Sequence, residues 1–299
     1  MKTLARSLGL LIFLVLAMSL LATSPGLPVS ETFHPVAHAE TVETCELGSS
    51  ALITWSPDEI ECPVCQTKNT FLVWGSYGNY IYQYPSKYQL VFWPFTANPT
   101  WYSCKKCRYT NFMGTFQNVP KEKIADLRKM LEGVSLPAQK TLSKEESLAR
   151  PPYLEIPTSQ RLLVVEKVNR FLGETGDDYW NHFYRVLAYH FDAEKKQAEA
   201  DEARRKSLAI TERLLADKAN EGKRKELLYI AGSMRHFLRE DKAALKNFEE
   251  ARDLKYSDKD LKPEQYKNYD VYLATVIKEY IEMLHKGKGP REQNPEEDH

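Results

Sequence analysis

Four of the chain's five cysteines fall in two short pairs, Cys62-Pro63-Val64-Cys65 and Cys104-Lys105-Lys106-Cys107. A tight turn with two residues between cysteines aims both sulfurs at one point. Two such turns supply the corners of a tetrahedron, which Zn²⁺ accepts because it binds thiolate well and has no d-electron geometry of its own. Cys62, Cys65, Cys104 and Cys107 are therefore the candidate ligands of a four-thiolate zinc site. With every position taken by protein, such a site is structural and leaves no place for a water or substrate. Two other chemistries stay open for the same residues: disulfides, within or across the pairs, and a redox-active dithiol at Cys62/Cys65. Cys45 is left over as a fifth, unassigned thiol.

The elements that must position these cysteines can be read between the pairs. Phe71-Leu72-Val73-Trp74, Tyr80-Ile81-Tyr82 and Gln89-Leu90-Val91-Phe92-Trp93 are aromatic and β-branched runs, separated by Gly75, Gly78, Pro85 and Pro94. That is strand and turn chemistry. Trp101-Tyr102 leads into the second pair, and Phe112 and Phe116 follow it. The expectation is a small β-ribbon with the metal at one end, the metal substituting for a core too small to hold it. The rings are expected to pack the ribbon, with an exposed aromatic platform as the alternative. Lys68, Lys87, Lys105, Lys106 and Arg108 beside them are the residues a nucleic-acid reading would use, but a chain of zero formal net charge has no general pull on nucleic acid.

Lys121 to Glu132 carries Ile124, Leu127 and Leu131 at helical spacing, with Gly133 at its end. Residues 133–157, rich in proline, read as a linker. From Thr158 onward the pattern is helical: Thr158 or Ser159 as a cap, Gly173 and Gly176 as a stop, then helices opening at Asp177 or Asp178, near Ala193, at Arg224, at Asp241 and at Pro263. Between Lys225 and Tyr256 the spacing fits a tetratricopeptide-like hairpin. Gly232 takes the small position of the first helix; Ala244, Phe248 and Ala251 take the packing points of the second. Arg235 stands where an aromatic is expected, and the preceding pair of helices does not hold the register. Stacked hairpins of this kind usually present a groove for a protein or peptide. His182, His190, His236 and His285 are scattered on these helices and form no catalytic or metal pattern; no G-x-S-x-G, H-E-x-x-H or phosphate-cradling glycine loop is present.

The cysteine framework, the Tyr/Pro-containing stretch inside it, the aromatic before Cys104 and the exit into repeat-like helices resemble an uncharacterised bacterial family, domain of unknown function 2225. The resemblance covers roughly residues 60–255. Family members carry glycine after each C-x-x-C; here Gln66 and Arg108 stand in those places. The resemblance implies a zinc-ribbon-like module and tetratricopeptide-like helices, and no known activity.

At the N-terminus, Lys2 and Arg6 precede an uncharged run from Leu8 to Ala22, and Ala37-His38-Ala39 forms an A-x-A cleavage signal. Residues 1–39 are expected to be a secretory signal, with an uncleaved anchor at residues 8–22 as the alternative; the fifteen-residue run is short for a span of about 20 residues. The full reading is α+β, mainly α: 40–59 an irregular segment, 60–132 a small zinc-ribbon-like β module, 133–157 the linker, 158–285 an α-helical tetratricopeptide-like hairpin array, and 286–299 a disordered tail. The expected function is an exported, periplasmic or extracellular, non-enzymatic binding or scaffold protein with structural Zn²⁺ and a protein or peptide partner. Thiol–disulfide exchange through Cys62/Cys65 is the alternative.

Overall fold

The computed structural model describes residues 53–77, 88–258 and 261–290. The expected signal or anchor, Cys45 and the Tyr80–Tyr82 strand lie outside the described residues. No helix among the described residues is long and apolar enough to cross a membrane.

The architecture is mainly helical, with a small β module before the helices. Strand β1 (Ile53–Glu61) pairs antiparallel with β2 (Lys68–Tyr77), and β3 (Trp101–Ser103) with β4 (Thr110–Phe112). The irregular segment expected over residues 40–59 is thus corrected from Ile53 onward. Pro57 does no harm to the strand. Its partner Leu72 turns its N–H to the Tyr153 hydroxyl (3.3 Å) and its carbonyl to the Tyr102 hydroxyl (2.9 Å). In an antiparallel ladder, pairs whose backbone groups face away from each other ask for no N–H from the proline.

The strand expected over Gln89–Trp93 is also corrected. Residues 88–95 run as turns, with Leu90 at φ 50°. Their apolar pattern marks burial, but the side chains pack on helices and on the faces of the strands, Trp93 on Trp74 of β2 (4.9 Å between centroids). Tyr88, Leu90 and Val91 are buried, and their backbone finds side chains in place of a neighbouring strand, as described below.

Eight α-helices follow among the described residues: α1 (Ile124–Glu132), α2 (Lys144–Ala149), α3 (Thr158–Leu172), α4 (Asp177–Ala193), α5 (Gln197–Ala216), α6 (Arg224–Phe237), α7 (Asp241–Arg252) and α8 (Pro263–His285). Residues 133–157 are not a free linker. Val134, Leu136, Tyr153 and Ile156 are buried with Leu127 and Leu131 of α1 and Val164 and Val168 of α3 in the same core as the β module. Neither Thr158 nor Ser159 caps α3 through its own side chain. Instead Glu194, just past α4, accepts the Ser159 N–H (2.8 Å) and hydroxyl (2.6 Å). A carboxylate at a helix N-terminus satisfies orphan donors and the dipole together.

Hairpins α4/α5 and α6/α7 are copies of one design. The turn after α4 bonds Glu194 N–H to His190 O, Lys195 N–H to Asp192 O and Lys196 N–H to Phe191 O. The turn after α6 repeats this with Leu238 to Met234, Arg239 to His236 and Glu240 to Arg235. Lys195 and Arg239 both take positive φ, 59° and 66°. Every counterpart lies 44 positions on, as Ala188 to Gly232 and Ala200 to Ala244 do. The sequence register breaks at one packing point. Where α7 places Phe248, α5 places the fully buried Arg204, which lies 4.1 Å over the Phe237 ring and pairs with Asp192.

Candidate metal centre

Each cysteine pair sits in a tight backbone knuckle, and the two knuckles match. In the first, Gln66 N–H bonds Cys62 O (2.8 Å) and Cys62 N–H bonds Thr67 O (3.0 Å). In the second, Arg108 N–H bonds Cys104 O (3.1 Å) and Cys104 N–H bonds Tyr109 O (2.8 Å). The residue after each second cysteine is left-handed: Gln66 at φ 60° and Arg108 at φ 62°. That conformation favours glycine because a Cβ crowds the following carbonyl. The first knuckle also serves as the hairpin turn between β1 and β2, and the second as the turn between β3 and β4.

The knuckles face each other. Cys62 Sγ lies 3.6 Å from Cys107 Sγ, Cys65 Sγ lies 3.6 Å from Cys104 Sγ, and all four sulfurs fall within 4.8 Å. The four thiols are unbridged. Tetrahedral zinc with Zn–S of about 2.3 Å requires sulfurs about 3.8 Å apart. The donor set fits: four sulfurs, no carboxylate and no imidazole in the group. The structure thus brings together all four cysteines that the spacing singled out, drawn from two sheets.

Electrostatics show what a cation would resolve. The Cys107 and Cys62 thiols and the Cys107 and Lys106 N–H groups all turn toward Cys104, holding it well below the ordinary thiol range. Cys62 is pushed up to about 12 by its bond to Cys104 and by burial, and Cys107 is raised for the same two reasons. A divalent cation would let all four ionise, since metal ligation requires deprotonated sulfur.

Two further residues serve the site, and spacing gave no hint of either. Asn69, 3 % exposed at the start of β2, donates to Thr67 O (2.7 Å) and toward Cys104 Sγ (3.6 Å), and accepts Lys105 N–H (2.9 Å). One side chain therefore ties both knuckles and one ligand together, the outer-shell role that fixes ligand orientation. The Thr67 hydroxyl lies 3.2 Å from Cys65 Sγ. Beneath them Phe71 stacks on Tyr102 (4.1 Å between centroids) and meets Phe116 and Tyr153 edge-on. These rings are a buried floor.

The chain between the knuckles is anchored in the helical half. Arg185 of α4 donates to the Gln89 and Leu90 carbonyls, 2.7 Å each. Ser233 of α6 donates to Tyr88 O, and Arg204 of α5 to the Gln89 side chain (3.3 Å). His190 Nε2 donates to Phe95 O (2.8 Å), the Phe95 ring meets His182 edge-on, and Tyr88 meets Tyr280 of α8 edge-on. Residues 88–95 thus line the face that α4, α6 and α8 present together. The fully buried Arg161 of α3 bolts the module on as well, through Trp101 O, Asn98, Thr158 and Ile156 O. His182 and His190 are accordingly packing residues.

Searches against protein-family models, curated proteins and solved structures find no match to the chain.

Proposed function

We propose that this is an exported, non-enzymatic binding or scaffold protein in which a structural Zn²⁺ at Cys62, Cys65, Cys104 and Cys107 fastens a β module onto a tetratricopeptide-like helical array. One observation carries the reading: four convergent thiols from matched knuckles, with no other ligand type and no position left over for substrate. The metal's work is mechanical. It joins the two ends of the 38-residue connection from Gln66 to Ser103, whose residues 88–95 are packed against α4, α6 and α8. Kinship to domain of unknown function 2225 rests on this same framework.

The partner is a protein or peptide, and the helices offer it their outward faces. An extended peptide on the inner face would have to displace residues 88–95. The outer side of α5 and α7 exposes Glu202, Arg205, Lys206, Glu212, Lys242 and Lys246, a mixed-charge solvated face.

The test is metal content and metal dependence of the natively purified, reduced chain. One zinc per chain is expected. A structural zinc held only by the folded site stabilises by its binding free energy, about 10 kcal/mol or more in small zinc peptides. Chelation under reducing conditions should therefore lower Tm by about 20 °C or more. A reduced chain with no zinc and a Tm indifferent to chelator would sink the proposal. Insulin-reducing activity abolished by Cys62→Ser would replace it with the thiol–disulfide exchange reading.

A further inference from the structure

We infer that the same four thiols form a second closed state, in which loss of metal to a disulfide oxidant yields two crossed disulfides, Cys62–Cys107 and Cys65–Cys104. This inference rests on the four-thiolate reading above. The two cross-knuckle separations are 3.6 Å each, so a modest rotation of the side chains brings either pair to the roughly 2.05 Å of a disulfide. Each pair also combines one half-buried sulfur, Cys107 or Cys65, with one fully buried sulfur, Cys62 or Cys104. The oxidant meets the outer thiol and the inner one completes the exchange.

The step is ordinary thiol–disulfide exchange with a low-molecular-weight disulfide such as oxidised glutathione. The Cys65 sulfur attacks one sulfur of the oxidant, forming a mixed disulfide and expelling one glutathione thiolate. The Cys104 sulfur then attacks Cys65 Sγ, forming the protein disulfide and expelling the second glutathione thiolate. Two protein thiolates lose two electrons, and one oxidant disulfide gains them. Cys107 and Cys62 repeat the sequence with a second oxidant molecule, and the metal ion leaves because no thiolate remains to hold it.

Crossed pairing has a structural consequence that pairing within each C-x-x-C lacks. Both crossed bridges join the two knuckles, so the connection carrying residues 88–95 stays closed at its ends. Bridges within the knuckles would leave those ends untied. The site is then a fastener that holds the module in a metal-rich reducing setting and in an oxidising one, with zinc release between them.

The experiment uses the full chain with Cys45→Ser, which keeps the fifth thiol from reshuffling the bridges. The protein is purified reduced, its zinc is measured, and it is titrated with oxidised glutathione while released zinc and remaining thiols are counted. Bridges are mapped by non-reducing digestion and fragmentation mass spectrometry; trypsin after Lys105 or Lys106 separates Cys104 from Cys107. Expected are release of one zinc per chain, loss of four thiols, and Cys62–Cys107 with Cys65–Cys104. Cys62–Cys65 with Cys104–Cys107, or Cys62–Cys104 with Cys65–Cys107, overturns the inference and leaves the zinc reading intact. A reduced chain that takes up no zinc overturns the reading itself, whatever bridges form. As a check that avoids metal, Cys62→Ser/Cys107→Ser should still form the Cys65–Cys104 bridge, whereas Cys62→Ser/Cys104→Ser should form no Cys65–Cys107 bridge and stop at mixed disulfides with glutathione; the opposite pattern refutes the crossing.

Discussion

Asn69→Asp tests whether the site's geometry is enforced from outside the ligand set. The substitution keeps size and keeps the acceptor for Lys105 N–H, 2.9 Å in the native site. It removes both donors: the 2.7 Å bond to Thr67 O and the longer contact to Cys104 Sγ. The first loss costs about 1 kcal/mol and the second, at 3.6 Å, less. The new carboxylate also faces a zinc–thiolate group of net negative charge. Two like charges near 4 Å repel by about 4 kcal/mol at an effective dielectric of about 20, and the carboxyl escapes part of that by taking up a proton. A net loss of about 3 kcal/mol, roughly 100-fold in zinc affinity, is expected, at the upper end of what outer-shell changes cause. The assay is competition for zinc against a chromogenic chelator at fixed pH, with helical circular dichroism to confirm folding. Asn69→Ala is the control. It removes the Lys105 acceptor too but adds no charge, so it should cost affinity only about tenfold. If Asn69→Asp binds zinc within threefold of the wild type, or Asn69→Ala is the worse binder, Asn69 does not orient the ligands.

Three other outcomes follow from the packing. Gly232→Ala places a Cβ 2.7–2.9 Å from three ring atoms of the fully buried Phe248; overpacking of about 1–3 kcal/mol outweighs the helix-propensity gain of about 1 kcal/mol, so urea unfolding should show a net loss, and a stabilised variant would contradict the close approach of α6 and α7. Gln66→Gly and Arg108→Gly relieve left-handed backbone at both knuckles and should each raise stability by up to about 1 kcal/mol, with a fall in Tm for both counting against the knuckle geometry. Burial, with a contribution from nearby Arg161, pushes His190 down to about 4, against the Phe95 carbonyl and Glu194, which raise it. The unfolded chain therefore binds its proton first, near the ordinary value of about 6.5. Stability from this group is complete above pH 6.5 and is lost as pH falls toward 4, about 2 kcal/mol of it by pH 5. Denaturant melts of wild type and His190→Gln at pH 7.5 and pH 5 should show a shallower fall for the variant, and identical falls would remove His190 from the account.

The candidate site was legible because its signal is local. Two residues between cysteines dictate a knuckle, and the knuckle's hydrogen bonds all close within six residues, Cys62 to Thr67 and Cys104 to Tyr109. The helices from Thr158 were legible for the same reason, through 3.6-residue periodicity, the stop at Gly173 and the start at Pro263. Asn69 was not, because only the packing of the β1/β2 hairpin against the β3/β4 hairpin carries it to Lys105 on the opposite knuckle. The repeat of α4/α5 in α6/α7 was half hidden. Its turns share geometry 44 positions apart, but Arg204 replaces the expected ring and finds its compensation in Asp192, Phe237 and Gln89.

By itself, then, the sequence determined what is short-range: which sulfurs converge, where helices begin and end, and that the whole is mainly helical with a small β module. Tertiary structure decided the fate of the apolar run at residues 88–95. A buried run of that length reads the same whether its backbone is satisfied by a neighbouring strand or by side chains. Its carbonyls go to Arg185, Ser233 and His190, residues that come close only when the helices stack. Buried backbone must find partners somewhere, and the amphipathic pattern that announces burial does not encode which partners those are.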